Sequence, residues 1–274
     1  ELWQTESDSS SQSIVMEYKD RGYSELLDII QPQTMLNRLL KSMNGGKDGL
    51  NGVIVPSGEK RLDNAMLLAA ESARKMPNAK VYSSFDKFSK WMSSVFGYVY
   101  DINDKTVTFR PRKDYFKREI VKTIEDYNGY TMNVNSSLIY SQVNVGYDKQ
   151  DYDSVNGKDE FRFTNEYSTG ITMTENKLEL ISPYRADAYG IEFLAQQIGE
   201  DTTDNSSDTD VFFVCVQSDG GRYILDRTDS ISGVISPLTM FNAMYSPTSM
   251  ITANKAFLGG FISELSYASS EGNT

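Results

Sequence analysis

The sequence predicts a strand-rich α+β fold. Short β-branched and aromatic runs bounded by turn-forming residues recur along the chain. Only two segments join an apolar helical stripe to clear start and stop signals. At 274 residues the chain is long enough for one large domain or two ordinary ones, and it can bury a core without covalent staples.

Taken in order, the first strand is expected at Ser13–Lys19, ending at Asp20-Arg21-Gly22. A helix follows over Pro32–Met43, with Pro at an N1-like position and Asn44-Gly45 as its stop. Residues 62–75 have a helical period, but comparison with residues near 265 favours a strand over 65–71. Ser84 can cap a second helix over Phe85–Phe96, in which Phe85, Phe88, Met92, Val95 and Phe96 share one face and Gly97 ends it. Tyr98–Ile102, the turn Asn103-Asp104-Lys105 and Thr106–Arg110 form a hairpin. Tyr115–Asp126 carries Phe116, Ile120 and Ile124 at helical spacing and is expected as a third helix, with Ala186–Gln197 a weaker fourth.

Ser137–Tyr147 alternates apolar and polar residues in its second half, and Asn156-Gly157 is a tight-turn signal before Glu160–Thr164. The clearest hairpin runs from Val211–Gln217 through Ser218-Asp219-Gly220-Gly221 to Arg222–Arg227. Met43–Asn51 and the acidic Gly199–Asp210 stretch are polar enough to be expected as mobile loops.

One internal similarity stands out. Ile30–Leu39 and Ile235–Met244 share the pattern Ile-x-Pro-x-Thr-Met-apolar-Asn-x-apolar. Each follows a strand-like run, Val15–Lys19 in one case and Ile224–Arg227 in the other, and Leu67–Ser72 has a looser echo in Leu265–Glu271. Chance likeness between two Pro-started helices is one reading; duplication of a strand–turn–helix module is the other. Duplication places Asn37 and Asn242 in equivalent positions, each bonding a neighbouring backbone group.

Composition excludes much chemistry. The chain contains no histidine and one cysteine, which removes Ser-His-Asp and Cys-His catalysis, His-ligated metals and an internal disulfide. The net charge of −11 argues against a nucleic-acid partner, because clustered cations are needed to neutralise phosphates. No window is apolar for long enough to cross a membrane as a helix. Cys215, within Val211–Val216, reads as a buried core thiol.

Gly45-Gly46-Lys47 lacks the remainder of a phosphate loop and reads as a linker. Asp201, Asp204, Asp208 and Asp210 have a calcium-loop composition without its spacing, and read as a solvated acidic loop. Two tryptophans, Trp3 and Trp91, are few for a sugar-stacking cleft, although 17 tyrosines could serve. Ser182–Glu192 reads as an Arg–Asp pair braced by aromatics. No catalytic, cofactor-binding or metal-ligating residue is assigned, and no cofactor is expected.

Several stretches resemble the baseplate-hub or tail-hub proteins of phages and prophages of gut Bacteroidetes. They are Ser83–Phe88 leading to Tyr98-Val99-Tyr100, Thr106–Arg112, Val143–Tyr147, Tyr184–Glu192 and Asp208–Phe212. Ser236-Pro237 onward also fits, except that Thr239 and Thr248 stand where basic residues are expected. The resemblance implies two related barrel-like, tail-tube-like modules around a middle αββ/β section. Residues 1–80 would be the first module, 81–130 an αββ insert and 131–210 a β-rich middle domain. Residues 211–274 would be the second module, completed by 1–80 or by residues beyond the chain, since the polar ends lead us to expect a piece of something longer.

The implied role is a homotrimeric, non-enzymatic virion component. It would be made in the bacterial cytoplasm and link the tail tube to the baseplate or spike, with tail-tube or baseplate proteins as partners. It would contact neither sequence-specific nucleic acid nor the membrane interior. An acidic ring would let DNA pass without sticking. The alternatives are a surface or secreted glycan- or partner-binding module of a gut bacterium, and a carboxylate-based hydrolase.

Overall fold

The computed structural model describes residues 26–115, 133–148, 164–186, 208–226, 243–255 and 266–270, with isolated positions from 120 to 131 and from 190 to 195. Its architecture is mixed, with helices packed on three small sheets. The helices are α1 (Pro32–Met43), α2 (Lys60–Asp63), α3 (Ala70–Ala73), α4 (Phe85–Phe96) and α5 (Pro247–Ala253). The strands are β1 (Asn51–Ile54), β2 (Ala65–Ala69), β3 (Tyr98–Asn103), β4 (Thr106–Pro111), β5 (Gln142–Tyr147), β6 (Thr164–Ser168), β7 (Lys177–Ser182), β8 (Val211–Asp219), β9 (Arg222–Leu225) and β10 (Ser266–Ser270). Their orders are β1-β4-β3, β10-β6-β5-β7 and β2-β8-β9, and no sheet closes into a barrel among the described residues. The strand-rich α+β expectation agrees with this.

Local signals act as their chemistry requires. The Ser84 Oγ accepts the Lys87 amide at the start of α4, and Gly97 takes the left-handed conformation at its end. The loop after α1 is a built turn rather than a loose linker. The Gly46 N–H donates to Lys41 O and the Gly45 N–H to Ser42 O, while the Asn44 side chain donates to Lys47 O and Asp48 O. Gly45-Gly46 therefore closes a helix.

Residues 62–75 divide between both expectations, as strand β2 between the single turns α2 and α3. The third helix is not formed at the described positions. Ile120, Lys122, Thr123 and Glu125 are not helical, and Ile120 is 86% exposed, while Phe116 and Ile124 lie outside the described residues. Of the fourth, Gly190–Ile191 and Leu194–Ala195 are helical. The Ser246-Pro247 start of α5, in which the Ser246 side chain accepts the Ser249 amide, is a helix signal absent from the expectations above.

Helix α1 closes an edge of its sheet. The Gln33 side chain donates to Gly52 O at 2.6 Å and accepts from Ile54 N at 3.0 Å, and the Asn37 Oδ1 accepts from Gly52 N at 3.1 Å. The other edge of β1 turns to β4, with Asn51 N donating to Lys105 O and Val55 N to Phe109 O. Two amide side chains thus occupy backbone groups that would otherwise invite a foreign strand. This approach requires Gly52, since a Cβ there would lie 2.5 Å from the Leu36 Cγ.

One core joins residues from all parts of the described chain, including Leu36, Trp91, Val145, Leu180, Phe213 and Met250. Trp91 is fully buried, with Phe88, Phe96 and Phe213 set edge-on against it at 5.1–5.5 Å and Tyr184 tilted at 5.4 Å. Strand β2 pairs antiparallel with β8, so residues near 67 and near 213 share a sheet. Of the looser echo, Leu67–Ala69 lie in β2 but Ala70–Ser72 lie in α3, whereas the described Ser266–Ser270 form β10, so the two copies agree as strands over the first half of Leu67–Ser72 alone. Ser13–Lys19, Asn156–Phe163 and most of Ile235–Met244, with Pro237 and Asn242, lie outside the described residues.

Candidate functional site

The feature that the core does not explain is the hairpin β8–β9. Its turn is set by Gly220 and Gly221, at φ 53° and 86°, the backbone that a tight two-residue turn needs and that only Gly adopts freely. Asp219 faces Arg222 across the turn and Val216 faces Leu225 at the far end of the pairing. Strand β8 is buried from Val211 to Val216, and its last three residues are exposed. All of β9 is exposed, including Tyr223, Ile224 and Leu225 at 52%, 43% and 41%. The hairpin therefore stands out from the core with large apolar side chains in solvent. Among the described residues, strand β9 pairs with β8 alone and its outer edge has no partner.

The root of this hairpin is fixed. Asp226, next after β9, is buried and ion-paired with Lys60, and its N–H donates to Cys215 O. Cys215 lies at 0% exposure in β8, flanked by β2 and β9, with its Sγ 3.7 Å from Lys60 O. Burial, and then the Asp226 carboxylate, push its thiol pKa up, which disfavours the thiolate. The core reading of Cys215 stands.

Two buried ion pairs hold the start of β8. Arg74 donates through one Nη to both Asp208 oxygens at 2.7 and 2.6 Å, with both side chains almost wholly buried. Arg185 pairs with Asp210 at 2.5 Å, and its guanidinium lies 4.9 Å from the centroid of Phe212. Arg185 also bridges β8 through its backbone, accepting from Phe213 N and donating to Val211 O. The Asp208 and Asp210 carboxylates thus serve as counter-ions to arginines rather than as a solvated loop. Asp201 and Asp204 lie outside the described residues. The Ser182–Glu192 segment supplies only the arginine of the described pair, Arg185 beside Phe212; the aspartate is Asp210 of the β8 approach, and Asp187 lies outside the described residues.

Trp91 is core and offers no stacking face, and Trp3 is outside the described residues. An exposed cluster does form on the β3–β4 hairpin. The Tyr115 hydroxyl donates to Asp101 at 2.5 Å, Arg110 pairs with Asp101 at 3.2 Å, and its guanidinium lies 5.8 Å from the Tyr115 ring. Burial and the Asp101 bond push the Tyr115 pKa up to about 12. Among the described residues, no three His, Cys, Asp or Glu side chains gather to hold a metal, and no helix is long and apolar enough to cross a membrane. No protein-family model, curated protein or solved structure matches the chain.

The open strand edge at β9 went unread because a strand pattern does not reveal which of its edges stays unpaired. The one available signal was the polar Gln217-Ser218-Asp219 end of β8 beside the apolar Tyr223-Ile224-Leu225.

Proposed function

We propose that the chain is a structural, non-enzymatic assembly protein, a hub-like ring former of a phage or prophage tail that links tail tube to baseplate or spike. The observation that carries this reading is the contrast between sheet edges. The β1 edge is closed by Gln33 and Asn37, and Ile30 exchanges two backbone hydrogen bonds with Leu67 of β2. Among the described residues the β9 edge is open, and it is flanked by exposed Tyr223, Ile224 and Leu225. An open apolar edge on a hairpin with a fixed root suits strand addition by another subunit. The repeat at Pro32 and Pro237 supports two related barrel-like modules per subunit, and in a trimer these would present six similar faces to a six-fold tube. The pairing of β2 with β8 is compatible with residues 1–80 completing the second module.

Solution mass is the test. The wild-type chain should form trimers as concentration rises, and Ile224→Lys should hold it as a monomer with an unchanged far-UV spectrum. A wild-type chain that remains monomeric at high concentration overturns the reading, as does an Ile224→Lys variant that still trimerises.

A glycan-binding surface module is the second reading, favoured by the Tyr115–Asp101–Arg110 cluster, which combines an aromatic face with a donor and an acceptor. It requires a monomer whose glycan binding is lost in Tyr115→Ala.

A further inference from the structure

Between the end of α4, the end of β4 and α5 lies a cleft of about 250 Å³, whose lining includes Arg61, Arg112, Lys113 and Lys255 but a single carboxylate residue, Glu59. Such a gathering runs against the composition, for the chain carries a net charge of −11. Arg61 is its inner member. Its guanidinium donates to Ser249 O at 3.0 Å and to Val95 O, and sits 5.4 Å from the centroid of Phe96. Its Nε is buried with no hydrogen-bond partner. These hydrogen-bond partners are neutral; burial pulls the Arg61 pKa down, and Glu59 is the carboxylate whose charge acts against that. Arg74, Arg110 and Arg185 differ, since each faces an aspartate.

Arg112 is half-buried beside it and donates to the Ser93 Oγ at 2.7 Å. Lys113 and Lys255 are exposed at the rim, with no ion pair among the described residues. Asp63 lies behind the lining, accepting the amides of Ser57 and Gly58, and its charge and those of Asp114 and Glu59 reach Tyr98 in the same wall.

We propose that this cleft binds the phosphoryl group of a small phosphorylated ligand. A single arginine fork satisfies a carboxylate, which brings one charge on two oxygens. Four cations around one cleft instead match a group with close to two negative charges and three acceptor oxygens. The cleft is one compact recess rather than a stripe of cations, which suits a small molecule better than a nucleic-acid backbone. No residue of β8 or β9 lines the cleft, and the inference does not depend on the assembly role.

The test is calorimetric titration of the full chain at low ionic strength with inorganic phosphate and with glycerol phosphate, using acetate as the singly charged comparator. The expected result is saturable one-site binding of the phosphates, with acetate at least about tenfold weaker. Lys113→Ala/Lys255→Ala changes only exposed side chains and should leave thermal stability intact while weakening phosphate binding about tenfold. Absence of saturable phosphate binding overturns the proposal, as does acetate binding of equal strength, or phosphate affinity unchanged in the double variant.

Discussion

Replacing Asp208 with Asn tests whether the acidic approach to β8 is an ion-pair latch. The substitution keeps the shape of the side chain and removes its charge. Arg74 and Asp208 retain 1% and 6% side-chain exposure, so the guanidinium left behind has little access to water. Breaking a buried pair from one side costs up to about 3–5 kcal/mol, because Arg74 loses the Asp208 charge inside the core. At about 2–4 °C per kcal/mol for a chain of this size, the midpoint should fall by about 6–20 °C. The assay is urea and thermal unfolding followed by fluorescence of Trp91, which is fully buried. Arg74→Met/Asp208→Leu should recover part of the loss, since an apolar pair of similar volume removes both members of the Arg74–Asp208 pair together. Added calcium should leave the wild-type midpoint unmoved, because Arg74 already holds both Asp208 oxygens. A loss below about 1 kcal/mol in Asp208→Asn, or a double variant as unstable as the two single losses summed, would refute the reasoning.

Gly52→Ala should destabilise the chain by about 1–3 kcal/mol in urea unfolding, because the new methyl would lie 2.5 Å from the Leu36 Cγ and 3.0 Å from the Asn37 Oδ1. A neutral effect would show that α1 can move off β1. Cys215 should react with a bulky thiol reagent only on unfolding, and Cys215→Ala should cost about 1 kcal/mol through a small cavity. Fast labelling in native buffer would contradict its burial. Tyr98 is pushed up to about 12, first by burial and then by the charge of Asp63. A phenol whose folded pKa lies above its unfolded value near 10 adds stability that is complete below pH ~10 and lost as pH rises toward ~12. Tyr98→Phe should therefore flatten the alkaline loss of stability in that window, and an unchanged alkaline profile would count against the shift.

Much of the fold was legible locally because the deciding physics spans only a few residues. Ser84 and Gly97 bound α4 through one hydrogen bond and one left-handed backbone position. Gly220-Gly221 sets the β8–β9 turn through two φ angles, and the alternation ending in Val143–Tyr147 marks β5. The helix expected after Tyr115 is not formed at the described Ile120, Lys122, Thr123 and Glu125, because a three-point apolar stripe says nothing about whether a surface exists to cover it. The periodic stretch 62–75 was ambiguous for a related reason: β2 is buried on both faces, and a fully buried strand has no alternation to display.

The sequence by itself determined the excluded chemistries, the strand-rich character, the main helix and hairpin boundaries, and the burial of Cys215. Each of these follows from composition or from forces acting within one or two turns of chain. Only the tertiary structure decided which charges meet. Arg74 finds Asp208 across 134 residues and Arg185 finds Asp210 across 25, so carboxylates that read as a solvated loop become buried counter-ions. It also decided that β1 is closed by Gln33 and Asn37 while β9 has no outer partner among the described residues, and that Arg61, Arg112, Lys113 and Lys255 line one recess in an acidic protein. Charge pairing and edge exposure depend on distances through space, and spacing along the chain carries no record of them until the core has formed.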